Sequence, residues 1–195
     1  MLLWINGPFG GGKTQTAFEL QRRLLHSVVC DPEHLGFGLR RMMPAQLRSD
    51  FQDFAAWRQG VVEVLDLVLS RHDGDVIVPM TVIEPVYARE ILGALRDKGH
   101  EVRHYALLAD RATILRRLRR RSLPLLRDRF AEAKLDECLD SLRRDDFAEH
   151  IWTAGSVPQI AIAASAGLTL SPDTSSALRA RVRQTWITVK HIRFD

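Results

Sequence analysis

The most chemically suggestive stretch of the sequence is a glycine-rich segment that begins six residues from the start, GPFGGGKT. Its spacing fits the pattern G-x-x-x-x-G-K-[ST] at Gly7, Gly12, Lys13 and Thr14. Glycines let successive backbone N–H groups turn inward, and these groups form an anion cradle together with the start of the following helix. In this pattern the lysine reaches the β- and γ-phosphates and the threonine hydroxyl ligates Mg²⁺. The residues predicted to contact ATP here are Gly7, Phe9, Gly10, Gly11, Gly12, Lys13, Thr14 and Gln15.

A second group of candidate residues follows the next short apolar run, in CDPEHLGFGLR. Chemistry in open α/β sheets lies at the carboxyl ends of the strands, where Asp31 and Glu33 are expected. Asp31 could accept the proton of a substrate hydroxyl or hold Mg²⁺. Asp-Pro-Glu is also a good helix start, and the two roles are compatible. Phe37 and Arg40 are expected to line the acceptor side.

The third predicted strand lacks the acid with which many nucleoside-triphosphate enzymes order Mg²⁺. The sequence there is DVIVPMTVIEP, and no acidic residue follows Val78 directly. Since proline cannot donate to a β-ladder, we expect strand pairing to stop at about Val78. Metal binding is therefore assigned to Asp31 and Thr14, with Glu84 as a fallback that could equally be a helix N-terminal charge.

An arginine run, ILRRLRRRSLPLLRDRF, is the main basic feature of the second half of the chain. Charge runs usually form solvated helix faces. Like charges four residues apart, such as Arg117 and Arg121, nevertheless destabilise a helix, and the run breaks at Pro124. These features favour a basic lid over approximately 117–130 that closes on the triphosphate.

The elements that must position these residues alternate between strands and helices. Such alternation predicts a single α/β domain, 1–195, with a five-stranded parallel sheet flanked by helices. The predicted strands are 2–6, 27–30, 75–78, 102–108 and a weak fifth at 150–153. The predicted helices are 14–25, 54–70, 85–98, 112–121, 131–142, 157–166 and a C-terminal one over approximately 175–192.

The composition excludes several classes of protein. The net charge of +4 over 195 residues gives no dense basic face of the kind that binds nucleic acid. The two cysteines, Cys30 and Cys138, offer no disulfide framework or metal spacing, and both are expected to be small core residues in a reducing compartment. No signal peptide or apolar span of about 20 residues is present, so we expect a cytoplasmic protein. No Asn-Lys-x-Asp guanine motif follows the loop, and the small size favours a kinase.

The C-terminal segment TSSALRARVRQTWITVKHIRF predicts a basic amphipathic helix that contains Trp186. Such a helix can lie on anionic lipid at the inner face of the membrane. It can also dock on its own domain, which is the more common outcome for a helix with one apolar face.

Two resemblances extend this interpretation. The spacing of Arg117 and Arg121 resembles the lid arginines of small nucleotide kinases. That resemblance implies that Arg117 covers adenine, that Arg121 reaches the transferred phosphate, and that backbone groups from Thr153 to residue 157 pass the adenine edge. The stretches WINGPFGGGKTQTAFEL, DPEHLGFGLR, VPMTVIEP and HIRF resemble the bacterial tunicamycin-resistance family of P-loop kinase-like proteins, over essentially the whole chain.

The family resemblance implies an ATP-binding protein that confers resistance to a lipid-tailed nucleoside antibiotic, with peripheral membrane contact through the C-terminal helix. Three functions stay open at this point. The chain could be an ATP-dependent kinase that phosphorylates a hydroxyl of tunicamycin or of a related nucleoside or amino-sugar compound. It could instead sequester the antibiotic under the control of ATP without transfer. It could also be a housekeeping kinase for a small metabolite.

Overall fold

The computed structural model describes residues 1–121, 132–144, 148–154 and 158–173, without the side chains of 120 and 121. These residues form a five-stranded parallel sheet in the order β2-β3-β1-β4-β5. The strands are β1 (Leu2–Asn6), β2 (Val28–Val29), β3 (Val76–Pro79), β4 (Val102–Leu108) and β5 (Glu149–Trp152). The predicted α/β class with a parallel sheet flanked by helices is confirmed.

Helices cover both faces of this sheet. They are α1 (Lys13–Arg23), α2 (Glu33–Met42), α3 (Ala55–Arg71), α4 (Pro85–Asp97), α5 (Arg111–Arg121), α6 (Leu135–Leu142) and α7 (Pro158–Ser165). Short 3₁₀ turns at Ala45–Leu47 and Phe51–Asp53 connect α2 to α3. The alternation of side chains along β1 divides the core into two layers, because successive residues of a strand point to opposite faces.

The two core layers are both well packed. Leu2 and Trp4 of β1 pack with the buried faces of α3 and α4, including Trp57 and Ile91. The second layer takes the alternate residues of β1, Leu3 and Ile5, and packs them against α1 and α7 through side chains such as Leu20 and Ile162. All five residues of β1 are buried, as expected for a central strand covered on both faces.

The expectation that pairing stops at Val78 is wrong by one residue. Pro79 is the last residue of β3 and lies opposite Ile5 of β1, and the Met80 N–H donates to the Ile5 carbonyl at 3.1 Å. Neighbouring residues of a strand direct their N–H groups to opposite sides. The missing N–H of Pro79 therefore faces the β2 side, beyond the hydrogen bond that the Cys30 N–H donates to the Ile77 carbonyl at 2.9 Å.

Several predicted boundaries shift by a few residues. β2 is shorter than 27–30, β5 begins one residue earlier than 150–153, and the helix predicted over 131–142 is found as Leu135–Leu142. The helix α2 was foreseen only as a helix start at Asp-Pro-Glu. Residues 122–130 of the predicted lid, residues 155–157 of the adenine loop and the C-terminal helix 175–192 lie outside the described residues. In the part of the chain that is described, no helix is long and apolar enough to cross a membrane.

Candidate functional site

The glycine-rich segment forms a loop between β1 and α1, at the carboxyl edge of the central strand. Gly10 has φ 76° and Gly12 has φ 96°, which is the left-handed region that side-chain-bearing residues avoid. Gly12 is the N-cap of α1, so the helix begins at Lys13 directly after the left-handed residue. The loop therefore has the backbone that the sequence pattern requires, with the positive end of the α1 dipole pointing into it.

Lys13 is folded back over this loop. It is buried, and its Nζ donates to the Pro8 carbonyl at 3.1 Å and lies 5.7 Å from the centre of the Phe9 ring. Thr14 is half-buried in the first turn of α1, and Gln15, also predicted to contact the nucleotide, is exposed. The amine therefore lies at the mouth of the anion cradle, where a phosphate oxygen can replace the carbonyl as its partner.

Helices α5 and α6 pack directly on the glycine loop. Phe9 joins a cluster of apolar side chains from these two helices, and a Cβ added to Gly10 would lie 2.9 Å from Leu118 Cγ. The arginine-rich helix α5 is therefore in contact with the loop.

The buried Cys138 of α6 is close enough for the charge of Lys13 to act on it. Burial nevertheless raises the pKa of the Cys138 thiol to about 11, so this cysteine is protonated at neutral pH.

Asp31 lies at the same edge of the sheet, two residues beyond β2. Burial is the main cause that raises the pKa of its carboxyl above the ordinary range, followed by the negative charge of Glu33. Electrostatic interactions with His34 and with Lys13 of the glycine loop act against this shift. Its Oδ1 also accepts a hydrogen bond from the Glu33 N–H at 3.0 Å. Asp31 thus supports the start of α2, as a helix-start residue does.

The other predicted acceptor residues lie on α2. Glu33 is in its first turn, and Arg40 is half-buried in its last turn. Phe37 packs edge-on against Phe51, with ring centres 6.0 Å apart, and belongs to the margin of the main core. The structure therefore gives Phe37 a packing role. Glu84, the fallback metal residue, is exposed at the N-cap of α4.

The structure also brings together Arg117 and Thr153, which are 36 residues apart in the chain. The Arg117 guanidinium is half-buried and donates to Thr153 Oγ1 at 3.1 Å. Burial, followed by the charge of Arg116, lowers the pKa of Arg117, although a guanidinium stays charged at neutral pH. The side chain of Arg121 lies outside the described residues.

Sequence reasoning missed two residues that hold the loop from behind. The fully buried Asn6 accepts the Gly7 N–H at 2.8 Å through Oδ1, and Thr81 Oγ1 donates to the Gly7 carbonyl at 2.9 Å. Thr81 lies just past β3, in the region where many nucleoside-triphosphate enzymes carry an acid and this chain does not. The only sequence signal was a polar residue, Asn6, at the end of an apolar strand.

The chain as a whole is similar to known proteins. Residues 2–144 match a family model described as an AAA domain. The structure of the Deinococcus radiodurans tunicamycin resistance protein is 34% identical, with a TM-score of 0.73, and the match covers 88% of this chain and 98% of that one. The chain therefore belongs to the AAA domain family and to the tunicamycin-resistance proteins. The predicted family is confirmed.

More distant structures agree with this tunicamycin-resistance family in fold alone. A sugar kinase from Janibacter sp. is 16% identical with a TM-score of 0.57, and the match covers 85% of this chain and 92% of that one. A gluconokinase from Sinorhizobium meliloti is also 16% identical, with a TM-score of 0.56 and coverage of 98% and 97%. A comparison with curated proteins found no match. The fold is therefore shared with these two kinases.

Proposed function

We propose that this chain is an ATP-dependent phosphotransferase that phosphorylates a hydroxyl of tunicamycin or of a related nucleoside or amino-sugar compound. One observation carries the proposal: the half-buried carboxyl of Asp31 follows β2 at the same edge of the parallel sheet as the glycine loop that follows β1 and carries Lys13. The antibiotic itself enters through the D. radiodurans relative, whose name states tunicamycin resistance. Positioning and charge stabilisation account for most of phosphoryl-transfer catalysis, and these groups supply both.

The loop fits a triphosphate on the geometry of its own residues. Gly10 and Gly12 have positive φ, and the Lys13 Nζ is bonded to the Pro8 carbonyl of the same loop. We assign the polyphosphate to the N–H groups of Gly10 to Thr14 and to Lys13, and the adenine side to Arg117 and Thr153. ATP supplies the phosphoryl group. Thr14 and Asp31 would hold Mg²⁺, although no group of three or more His, Cys, Asp and Glu that could hold a metal occurs among the described residues.

In this proposal Asp31 orients the acceptor hydroxyl and accepts its proton. A carboxyl with a raised pKa is the stronger base, which suits it to this step at neutral pH. Lys13 and Arg117 offset the negative charge on the phosphoryl oxygens, and Arg121 would join them. Glu33 and Arg40 would contact the acceptor outside the reacting atoms.

The test is an incubation of the purified full chain with Mg-ATP and tunicamycin, followed by mass spectrometry of the antibiotic. A kinase adds the mass of one phosphoryl group to the antibiotic and releases ADP. If ATP binds but no phosphorylated product forms over many turnover times, transfer to this antibiotic is refuted. The same incubation with a panel of sugars and nucleosides in place of tunicamycin tests the housekeeping alternative.

A second candidate function is ATP-gated sequestration of the antibiotic. A residue just past β3 favours sequestration. This residue is the neutral Thr81, which is bonded to the glycine loop and provides no carboxylate to order a metal. In that case equilibrium dialysis would show tunicamycin bound in proportion to protein, with an affinity that depends on ATP and with no turnover. The predicted contact of the C-terminal helix with membrane lipid is compatible with both functions.

A further inference from the structure

Three consecutive residues after β3 are each tied to another part of the site. Thr81 bonds the Gly7 carbonyl, Val82 pairs with the side chain of Asn6, and the carbonyl of Ile83 accepts a hydrogen bond from Ser141 Oγ of α6. The connection from β3 to α4 therefore joins the glycine loop to the helix pair α5–α6. No part of this link contributes an acid or a base.

The Asn6 side chain acts here as an additional peptide group. Its Oδ1 accepts the Val82 N–H at 3.1 Å, and its Nδ2 donates to the Val82 carbonyl at 2.7 Å. The same Oδ1 accepts the Gly7 N–H at 2.8 Å. Nδ2 also lies 3.4 Å from His104 Nε2. Asn6 has no exposed surface, so water cannot replace these bonds if the amide is removed.

Both polar groups of the Gly7 backbone are consequently held by side chains. Asn6 takes the N–H and Thr81 takes the carbonyl. The residue is also confined sterically, since an added Cβ would lie 3.2 Å from Leu107 Cβ and 3.3 Å from Lys13 Cγ. The Gly7 carbonyl is directed towards the β3–α4 connection, so it does not point its negative end at an anion in the loop.

We propose that Asn6 and Thr81 are positioning residues for the phosphate cradle, which set the orientation of the Gly7 peptide groups before the nucleotide binds. A preformed cradle pays less ordering entropy on binding, so its loss appears as weaker affinity for the polyphosphate. The inference rests on the proposed binding of ATP by this loop and does not depend on phosphoryl transfer.

The decisive variant is Thr81→Val, which keeps the shape of the side chain and removes the hydroxyl. We expect it to weaken ATP binding about tenfold, which corresponds to the loss of roughly 1.4 kcal/mol. Thr81→Ser should restore the affinity to within about twofold. AMP lacks the phosphates that the cradle holds, so its affinity should change much less than that of ATP.

Ser27→Ala is the matched control, because Ser27 Oγ also donates to a backbone carbonyl, that of Leu24 at 2.9 Å, at the far end of α1. Isothermal titration with ATP and AMP is combined with the thermal midpoint of each variant. Thr81→Cys, with a weakly donating thiol, should give intermediate affinity and serves if Thr81→Val does not fold.

Native ATP affinity in Thr81→Val would show that the hydroxyl is merely structural and would overturn the inference. An equal loss for ATP and AMP would also overturn it, because the cradle would then not be the part affected. If the native chain binds AMP and ATP equally weakly, the proposed function itself fails and the inference fails with it.

Discussion

Replacing Asp31 separates its proposed role as a base from its role at the start of α2. There its Oδ1 accepts a hydrogen bond from the Glu33 N–H. Asparagine keeps an oxygen for the helix start but cannot act as a base, whereas alanine loses both functions. Asp31→Asn and Asp31→Ala therefore form a pair in which one interaction changes at a time.

The expected magnitudes differ between catalysis and folding. Loss of a general base lowers turnover by about 10²–10⁴-fold, and this applies to both variants. Loss of the helix-start bond costs about 1 kcal/mol of unfolding free energy and applies only to Asp31→Ala. For a chain of 195 residues that cost places the thermal midpoint of Asp31→Ala roughly 2–4 °C below that of Asp31→Asn.

The raised pKa of Asp31 adds a dependence on pH. The native state holds this proton more tightly than the unfolded chain, so the ionised carboxyl reduces stability above the raised pKa. Below the pKa of the unfolded chain both states are protonated and the penalty is absent. Asp31→Asn should accordingly be more stable than the native protein at neutral pH, with a difference that shrinks as the pH falls. The acid limb of the pH–rate profile should lie above that of an ordinary aspartate.

The measurements are turnover by mass spectrometry, ATP affinity by titration, and thermal midpoints between about pH 3 and 8. Asp31→Asn should retain the affinity for ATP measured without Mg²⁺, since the phosphates are assigned to the glycine loop and not to this carboxyl. The base assignment is refuted if Asp31→Asn turns over at the native rate. It is also refuted if cells that carry this variant keep full resistance, which is the result expected of a sequestering protein.

Three further perturbations test the loop and its surroundings. Lys13→Ala should lower turnover by about 10²–10³-fold and weaken ATP binding in titration, and unchanged binding would refute the phosphate cradle. Gly10→Ala should lower the unfolding free energy by about 1–3 kcal/mol in denaturant titration, because its Cβ would lie 2.9 Å from Leu118 Cγ and its φ is 76°. The control Gly93→Ala, in open space on α4, should instead raise it by roughly 0.5–1 kcal/mol. Arg117→Lys should weaken ATP binding although the charge is kept, since an ammonium cannot replace a planar guanidinium; equal affinity would remove Arg117 from the nucleotide site.

Local features of the site were predictable from the sequence. The loop from Gly7 to Thr14 lies between β1 and α1 because glycine spacing, an apolar strand and a helix signal all act within a short stretch of chain. The position of Asp31 at the carboxyl edge followed from the rule for parallel sheets. The sequence left open whether Asp31 starts a helix, acts on the substrate, or does both. The structure shows the helix-start bond, which the Glu33 N–H donates to Asp31 Oδ1.

Contacts between distant residues were not predictable. The bonds of Asn6 to Val82 and of Thr81 to Gly7 span 76 and 74 residues, and neither leaves a periodic or spacing signal. The sequence placed Phe37 on the acceptor side, and the structure packs its ring against Phe51. That packing was not predictable, because the sequence does not define the path of the segment that contains Phe51. The resemblance to nucleotide kinases placed Arg117 and Thr153 near adenine, but nothing in the sequence indicated the hydrogen bond between their side chains.

The strand order sets the distance between donor and acceptor. β3 lies between β1, which leads into the glycine loop, and β2, which leads to Asp31. Two inter-strand spacings amount to about 10 Å, whereas adjacent strands would leave about 5 Å. The wider gap has room for a phosphoryl group and a hydroxyl-bearing carbon side by side above the end of β3. The uncharged Met80 and Thr81 directly follow that end, so in the proposed reaction these residues would add no charge beneath the transferred phosphoryl group.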